Sequence, residues 1–145
     1  MCIRDRVINL VLVSTISLHE FSHVITARYY GCESRTIAYE SQNYPYSEII
    51  CTNLDYKLHI ALAGPIIPVI VAALLLFVGG RYIRPIAFLA IGFNLLAGYR
   101  DFQDAGLSQN LVLGISLLSA VLLFFGVVYL TRARMEDYKE FRLGD

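Results

Sequence analysis

The chain has 145 residues, of which 57% are hydrophobic and 17% are charged, and its mean hydropathy is +0.57. Soluble domains of this length are less apolar, so the composition predicts an integral, multi-pass membrane protein with the lipid bilayer as its solvent. Twelve basic and twelve acidic residues cancel, which argues against a nucleic-acid partner because such a partner needs a basic surface.

Four apolar runs predict membrane helices at about residues 7–30, 58–80, 85–101 and 109–131. The first would be roughly 36 Å long as a helix, enough to cross a bilayer with some tilt. The third is the shortest, because its apolar part ends at Gly98, so it must extend to Asp101 or stop within the membrane. The expected fold is an all-α polytopic membrane protein with about four transmembrane helices, forming a single domain over residues 1–145.

The polar segment between the first two runs predicts a small β-hairpin at about residues 36–52. Two β-favouring stretches, 36–41 and 47–52, flank the turn-like sequence QNYP, and a plain connecting loop is the alternative. The three cysteines, Cys2, Cys32 and Cys51, are an odd number without CxxC spacing. Neither a disulfide framework nor a zinc ribbon is therefore expected from them.

The opening sequence MCIRDR places charged residues directly before the first apolar run. A secretory signal is not expected, because no small-residue cleavage site follows and the run carries ionisable residues. The abrupt start predicts instead that upstream segments of the protein are missing from this chain.

The first apolar run contains the pattern HExxH, formed by His19, Glu20 and His23. An ionisable side chain at the centre of a membrane helix costs about 2.5 to 3.5 kcal/mol, so these residues are expected to serve a function. The i, i+4 spacing places both imidazoles on one helix face, where they can share one Zn²⁺ ion. A pair of histidines that hydrogen-bond between helices is the alternative. His59 is expected at the membrane interface rather than in the metal site.

A catalytic zinc site needs a third protein ligand, and the end of the third run offers Asp101 and Asp104. If all four runs span the membrane, the first and third end on the same side. Asp101 then lies at about the depth of His23, and Asp104 lies about one turn further out. The alternative for either carboxylate is a helix cap or a solvated loop with Arg100 as its partner.

Residues 15–106 resemble the site-2 protease group of intramembrane zinc metalloproteases. The resemblance is carried by HEFSHVITARYYG in the first helix, a β-containing segment after it, ALAGPIIP in the next helix, and Asn94 followed by an aspartate. The family commonly has N-x-x-P and then Leu-Asp-Gly, whereas Ala97 replaces the proline here. Asp101 fits the family spacing better, whereas Asp104 is followed by small residues, Ala105 and Gly106, as the family's aspartate is followed by glycine. Pro68 stands where the family often has an asparagine, so that residue's substrate-holding role is not implied here.

The resemblance implies a zinc metalloprotease that hydrolyses membrane-spanning protein substrates, with Glu20 as general base and His19, His23 and one aspartate as zinc ligands. Asn94 lies on the same helix face as Asp101, where it could bind the substrate backbone or the oxyanion, with interhelical packing as the alternative. The rival interpretation is a noncatalytic membrane scaffold or zinc-binding remnant. Three histidines are too few for a di-iron hydroxylase, and a transporter would need acidic residues in the second and fourth runs.

Two lines of reasoning predict opposite membrane orientations. The side that holds the N-terminus, the turn at 81–84 and the C-terminal tail has eight basic residues against four on the other side, or six without the opening sequence. This excess favours that side as cytoplasmic. The family resemblance implies the reverse, with the zinc end of the helices toward the cytoplasm.

Overall fold

The structure, a computed structural model, describes residues 3–37, 46–51 and 56–143. Its elements in chain order are helix α1 (Ile3–Tyr29), strands β1 (Glu33–Ile37) and β2 (Tyr46–Ile50), and helices α2 (Lys57–Val78), α3 (Ile83–Ala97), α4 (Tyr99–Asp104) and α5 (Gln109–Leu143). The predicted all-α membrane fold with a small hairpin between the first two helices is confirmed.

Among the described residues, three segments are long and apolar enough to cross a membrane, Ile8–Tyr29, Lys57–Val78 and Gln109–Glu136. Helix α3 is apolar but has 15 residues, so it extends roughly 22 Å, less than the hydrocarbon thickness of about 30 Å. The structure divides the predicted helix 85–101 at Gly98, and α4 carries the chain onward. Helix α5 runs past the predicted end at residue 131, and Arg81 and Glu136 form an ion pair between the α2–α3 turn and this extension.

A glycine sets the end of α1 and the start of the hairpin. Gly31 has φ +74°, its N–H donates to the Arg28 carbonyl, and the Cys32 N–H donates to the Ala27 carbonyl. This Schellman motif satisfies the last carbonyls of the helix and turns the chain directly into β1. Strand β1 therefore begins three residues before the predicted stretch 36–41, and β2 begins one residue before the predicted stretch 47–52. The predicted turn at 42–45 lies outside the described residues.

The two strands pair antiparallel, with Glu33 opposite Ile50 and Ile37 opposite Tyr46. Cys32 and Cys51 lie next to the first of these pairs, with their Cα atoms 4.7 Å apart, and they form a disulfide. The expectation of no disulfide is therefore wrong. The hairpin register places positions 32 and 51 opposite each other, and a count of cysteines carries no information about that register.

Helix α3 packs against α1, α2 and α5 and so lies at the centre of the fold. Its contact with α5 is close because glycines are present on both sides. A Cβ at Gly92 would lie 2.7 Å from Leu123 Cγ, and one at Gly126 would lie 2.8 Å from Leu89 Cγ. Ser119 donates a hydrogen bond of 2.6 Å to the Gly92 carbonyl. Small residues and a polar bond between helices are typical of packing in lipid, where apolar burial alone gives little driving force.

Candidate metal centre

Helix α1 presents His19 and His23 one turn apart on the face that packs against α2 and α3. Both residues are buried, their ring centroids are 4.9 Å apart, and the two Nε2 atoms are 3.3 Å apart. The spacing follows directly from the HExxH pattern, since residues i and i+4 are neighbours on a helix surface.

The other buried polar residues of α1 are satisfied within the helix. Thr15 donates to the Val11 carbonyl and Ser22 donates to the Leu18 carbonyl, both at 2.6 Å. The imidazoles of His19 and His23 instead reach groups on other helices. Their position therefore depends on tertiary packing as well as on the conformation of α1.

Two features of α2 position the His23 ring. A backbone carbonyl accepts a hydrogen bond from the ring, and a glycine leaves the space that the ring occupies. The His23 Nδ1 atom lies 2.7 Å from the Ile60 carbonyl oxygen, which can only accept, so Nδ1 carries the hydrogen and donates it. A Cβ at Gly64 would lie 2.2 Å from His23 Nε2. The glycine of the ALAGPIIP element thus provides the space in which this ring sits.

His19 is held by the side chain of Asn94 on α3. The Asn94 Oδ1 atom lies 3.0 Å from His19 Nδ1, and the Asn94 Nδ2 atom donates to the Pro65 carbonyl at 2.5 Å. Asn94 is completely buried. Asn94 was predicted to contact a substrate or an oxyanion, with interhelical packing as the alternative. Its amide lies between three helices and bonds to two of them.

The carboxylate of Asp101 completes the group. Its Oδ2 atom is 2.8 Å from His19 Nε2, and its Oδ1 atom is 3.5 Å from His23 Nε2. Helix α4 can approach α2 here because Gly98 has no side chain, and a Cβ at that position would lie 2.7 Å from Pro65 Cβ. The Asp101 side chain is 22% exposed, so this edge of the group is the more open one.

Asp104, the second candidate ligand, is exposed and lies outside this group. The small residues that follow Asp104, Ala105 and Gly106, are explained by the way helix α4 ends. Gly106 has φ +79°, and the N–H groups of Gly106 and Leu107 donate to the carbonyls of Gln103 and Phe102. Asp104-Ala105-Gly106 is thus the C-terminal Schellman motif of α4.

His19, His23 and Asp101 are the one group of metal-ligating side chains in the described part of the chain, with ligand atoms within 4.8 Å of one another. Since both Nδ1 atoms donate outward to acceptors, the Nε2 lone pairs point at each other and at a carboxylate. Three electron-pair donors that converge in a buried place favour a cation between them. A tetrahedral zinc site has ligand atoms about 3.3 Å apart. The two Nε2 atoms have this separation, and they lie 2.8 and 3.5 Å from the two different oxygens of Asp101.

Two further residues were considered in the sequence, Glu20 as the general base and His59 as a membrane-interface residue. Glu20 follows His19 on α1 and is half-buried. His59 is exposed, and its ring lies 5.8 Å from that of Tyr30, which stacks on Tyr56 at 4.2 Å. An aromatic cluster at the adjoining ends of α1 and α2 is typical of a membrane interface, and His59 belongs to it.

Sequence reasoning named Asn94, the partner of His19, but missed the carbonyl that orients His23 and the carbonyl that orients Asn94 itself. The Ile60 and Pro65 carbonyls are backbone atoms, so no residue type identifies them. Gly64 could have been found, because a glycine within a membrane helix often marks a close approach between helices.

Comparison of the chain with protein-family models, with curated proteins and with solved structures found no match.

Proposed function

We propose that this protein is an intramembrane zinc metalloprotease that hydrolyses peptide bonds of membrane-spanning substrates. One observation carries the proposal. The two histidines of an HExxH helix converge with the Asp101 carboxylate: their Nε2 atoms are 3.3 Å apart and lie 2.8 and 3.5 Å from its two oxygens. Each histidine donates the hydrogen of its Nδ1 to an acceptor. An outer acceptor for each ring is typical of metal-binding histidines.

Zinc is the metal that fits the donor set and the motif together. Two imidazoles and one carboxylate are three protein ligands, which leave a fourth tetrahedral position for water, as in catalytic zinc sites. Iron(II) also binds two histidines and a carboxylate. The glutamate directly after the first histidine favours zinc, because hydrolysis needs a base beside the metal and the HExxH pattern supplies one.

Glu20 is the residue to which we assign the proton transfers. A bound zinc ion would lower the pKa of its water ligand to about 7. Glu20 accepts a proton from the attacking water and returns it to the leaving amine, so that the peptide bond breaks without a free strong base or acid. His19, His23 and Asp101 would hold the zinc ion while Glu20 transfers the proton.

The depth of the site favours substrates that cross the membrane. His23 lies about 9 Å along the helix axis from Tyr29 at the end of α1, within the candidate span Ile8–Tyr29. A helical substrate hides its amides in internal hydrogen bonds, so a peptide bond at this depth must unwind before attack. Asp101 is the more exposed member of the group, and its side of the site is where we place substrate entry.

A cleavage assay in proteoliposomes tests the proposal. The substrate is a single-span peptide with a Gly-Pro pair near one membrane face, which eases unwinding, and a fluorophore and quencher at its ends. We expect cleavage by the wild-type chain and none by Glu20→Gln, with equal zinc content in both. Glu136→Gln, on the far part of α5, is the matched control and should cleave normally. A wild-type chain that binds zinc without cleaving would indicate a noncatalytic scaffold.

A further inference from the structure

Asn94 connects three elements through one buried amide. It lies on α3, its Oδ1 faces His19 on α1 at 3.0 Å, and its Nδ2 donates to Pro65 on α2 at 2.5 Å. Its exposed fraction is 0%. A substrate therefore has no path to either end of the amide, and direct contact with a scissile peptide is a poor explanation for this residue.

The bond to Pro65 fixes which way the amide points. A carbonyl oxygen only accepts, so the Asn94 atom beside it must be the nitrogen, and the oxygen must face His19. An amide oxygen also only accepts, so Nδ1 of His19 must carry a hydrogen. The neutral ring then has its lone pair on Nε2, the atom that lies 2.8 Å from Asp101.

We infer that Asn94 is a positioning residue that holds His19 in the tautomer and ring orientation required for metal binding. This inference rests on the metal site of the proposed function, and it assigns Asn94 a role other than substrate or oxyanion binding. Because the acceptor for His23 is the backbone carbonyl of Ile60, Asn94 is the one of the two acceptors that mutation can remove.

Two substitutions separate positioning from packing. Asn94→Leu keeps a similar volume but offers no acceptor, so His19 loses its partner and either tautomer can form. Asn94→Asp keeps an oxygen that accepts from Nδ1, and its second oxygen can replace the bond to the Pro65 carbonyl only in the protonated carboxyl form. Loss of an outer partner of a metal ligand typically lowers metal affinity by about 10- to 100-fold. We expect that loss for Asn94→Leu and zinc affinity within a few-fold of wild type for Asn94→Asp.

Ser119→Ala is the matched control. Ser119 is also fully buried, and it also donates a hydrogen bond between helices, to Gly92 on α3. Its removal should weaken helix packing without changing zinc affinity. A general loss of stability would lower the zinc affinity of both variants, whereas loss of a positioning bond would lower the zinc affinity of Asn94→Leu alone.

Zinc affinity is measured by chelator competition on the full chain in detergent micelles. Nitrogen-15 NMR of labelled histidines, recorded without metal, reports the tautomer directly, and the three rings are assigned by single substitutions. We expect wild-type His19 to carry its hydrogen on Nδ1. Wild-type zinc affinity in Asn94→Leu would overturn the inference, and a raised KM for the peptide substrate in that case would point to substrate binding instead. If Asn94→Leu does not fold, a wild-type His19 protonated on Nε2 alone would overturn it. The NMR measurement needs neither cleavage nor zinc, so failure of the proposed function is a separate result.

Discussion

Gly64 on α2 faces the His23 ring on α1 so closely that an added Cβ would lie 2.2 Å from Nε2 and 2.4 Å from Cε1. The ring cannot keep its place beside any larger residue. This relationship gives the glycine a specific role, since the space it leaves is filled by Nε2 of His23, a ligand atom of the proposed metal site.

We therefore expect Gly64→Ala to turn the His23 ring away from His19 and Asp101. Zinc affinity should fall by about 10- to 100-fold or more, as for other losses of ligand geometry. The measurement is chelator competition in detergent micelles. Gly114→Ala is the control, because nothing lies within 4 Å of a Cβ at that helical position. Full zinc binding by Gly64→Ala would contradict the position assigned to His23.

The two aspartates of α4 should differ sharply when each is replaced by alanine. Asp101→Ala removes an oxygen 2.8 Å from His19 Nε2, and we expect bound zinc to fall from about one per chain to a small fraction of that value. Asp104→Ala alters an exposed residue one turn further on and should retain zinc. Metal analysis of both purified variants decides the matter, and equal zinc contents would refute the choice of Asp101.

The glycines between α3 and α5 should control stability without affecting the metal. Gly92→Val places atoms where Leu123 already lies 2.7 Å from a Cβ, and overpacking of this kind typically costs about 1 to 3 kcal/mol. We expect a lower midpoint of thermal unfolding in micelles and unchanged zinc affinity in the protein that remains folded. An unchanged midpoint would show that α3 and α5 do not pack as described.

The disulfide should stabilise the hairpin locally. It closes a loop with a sequence separation of 19 residues, for which loop-closure entropy predicts about 3 kcal/mol. Cys32→Ser should speed hydrogen exchange at the amides of β1 and β2 and leave zinc content unchanged. Free thiols at both positions in the unreduced protein, detected by alkylation and mass spectrometry, would exclude the bond. Because disulfides persist in oxidising compartments, we also expect the hairpin to face one.

The sequence was sufficient for the features that depend on local periodicity. Apolar runs predicted the long helices, and the i, i+4 spacing of His19 and His23 predicted their shared face. Spacing and depth favoured Asp101 over Asp104 as the third ligand, but they did not decide between the two residues. That choice depends on the helix break at Gly98 and on the helix end at Gly106, which places Asp104 in a solvent-exposed last turn.

The orientation of the two imidazoles could not be predicted, because it is set by contacts between distant parts of the chain. Asn94 meets His19 across 75 positions, and the Ile60 carbonyl meets His23 across 37. The disulfide was missed for a related reason, since a pairing register rather than a residue count brings Cys32 and Cys51 together.

The most direct test of the proposed function is a zinc titration of the metal-free wild-type chain in proteoliposomes, with bound zinc and substrate cleavage measured on the same samples. We predict that cleavage rises in proportion to bound zinc and stops rising at about one equivalent, and that Glu20→Gln binds the same zinc without cleaving. Cleavage by the metal-free chain, or a fully loaded wild-type chain that leaves the unwound substrate intact, would contradict the assignment of this site as a zinc protease.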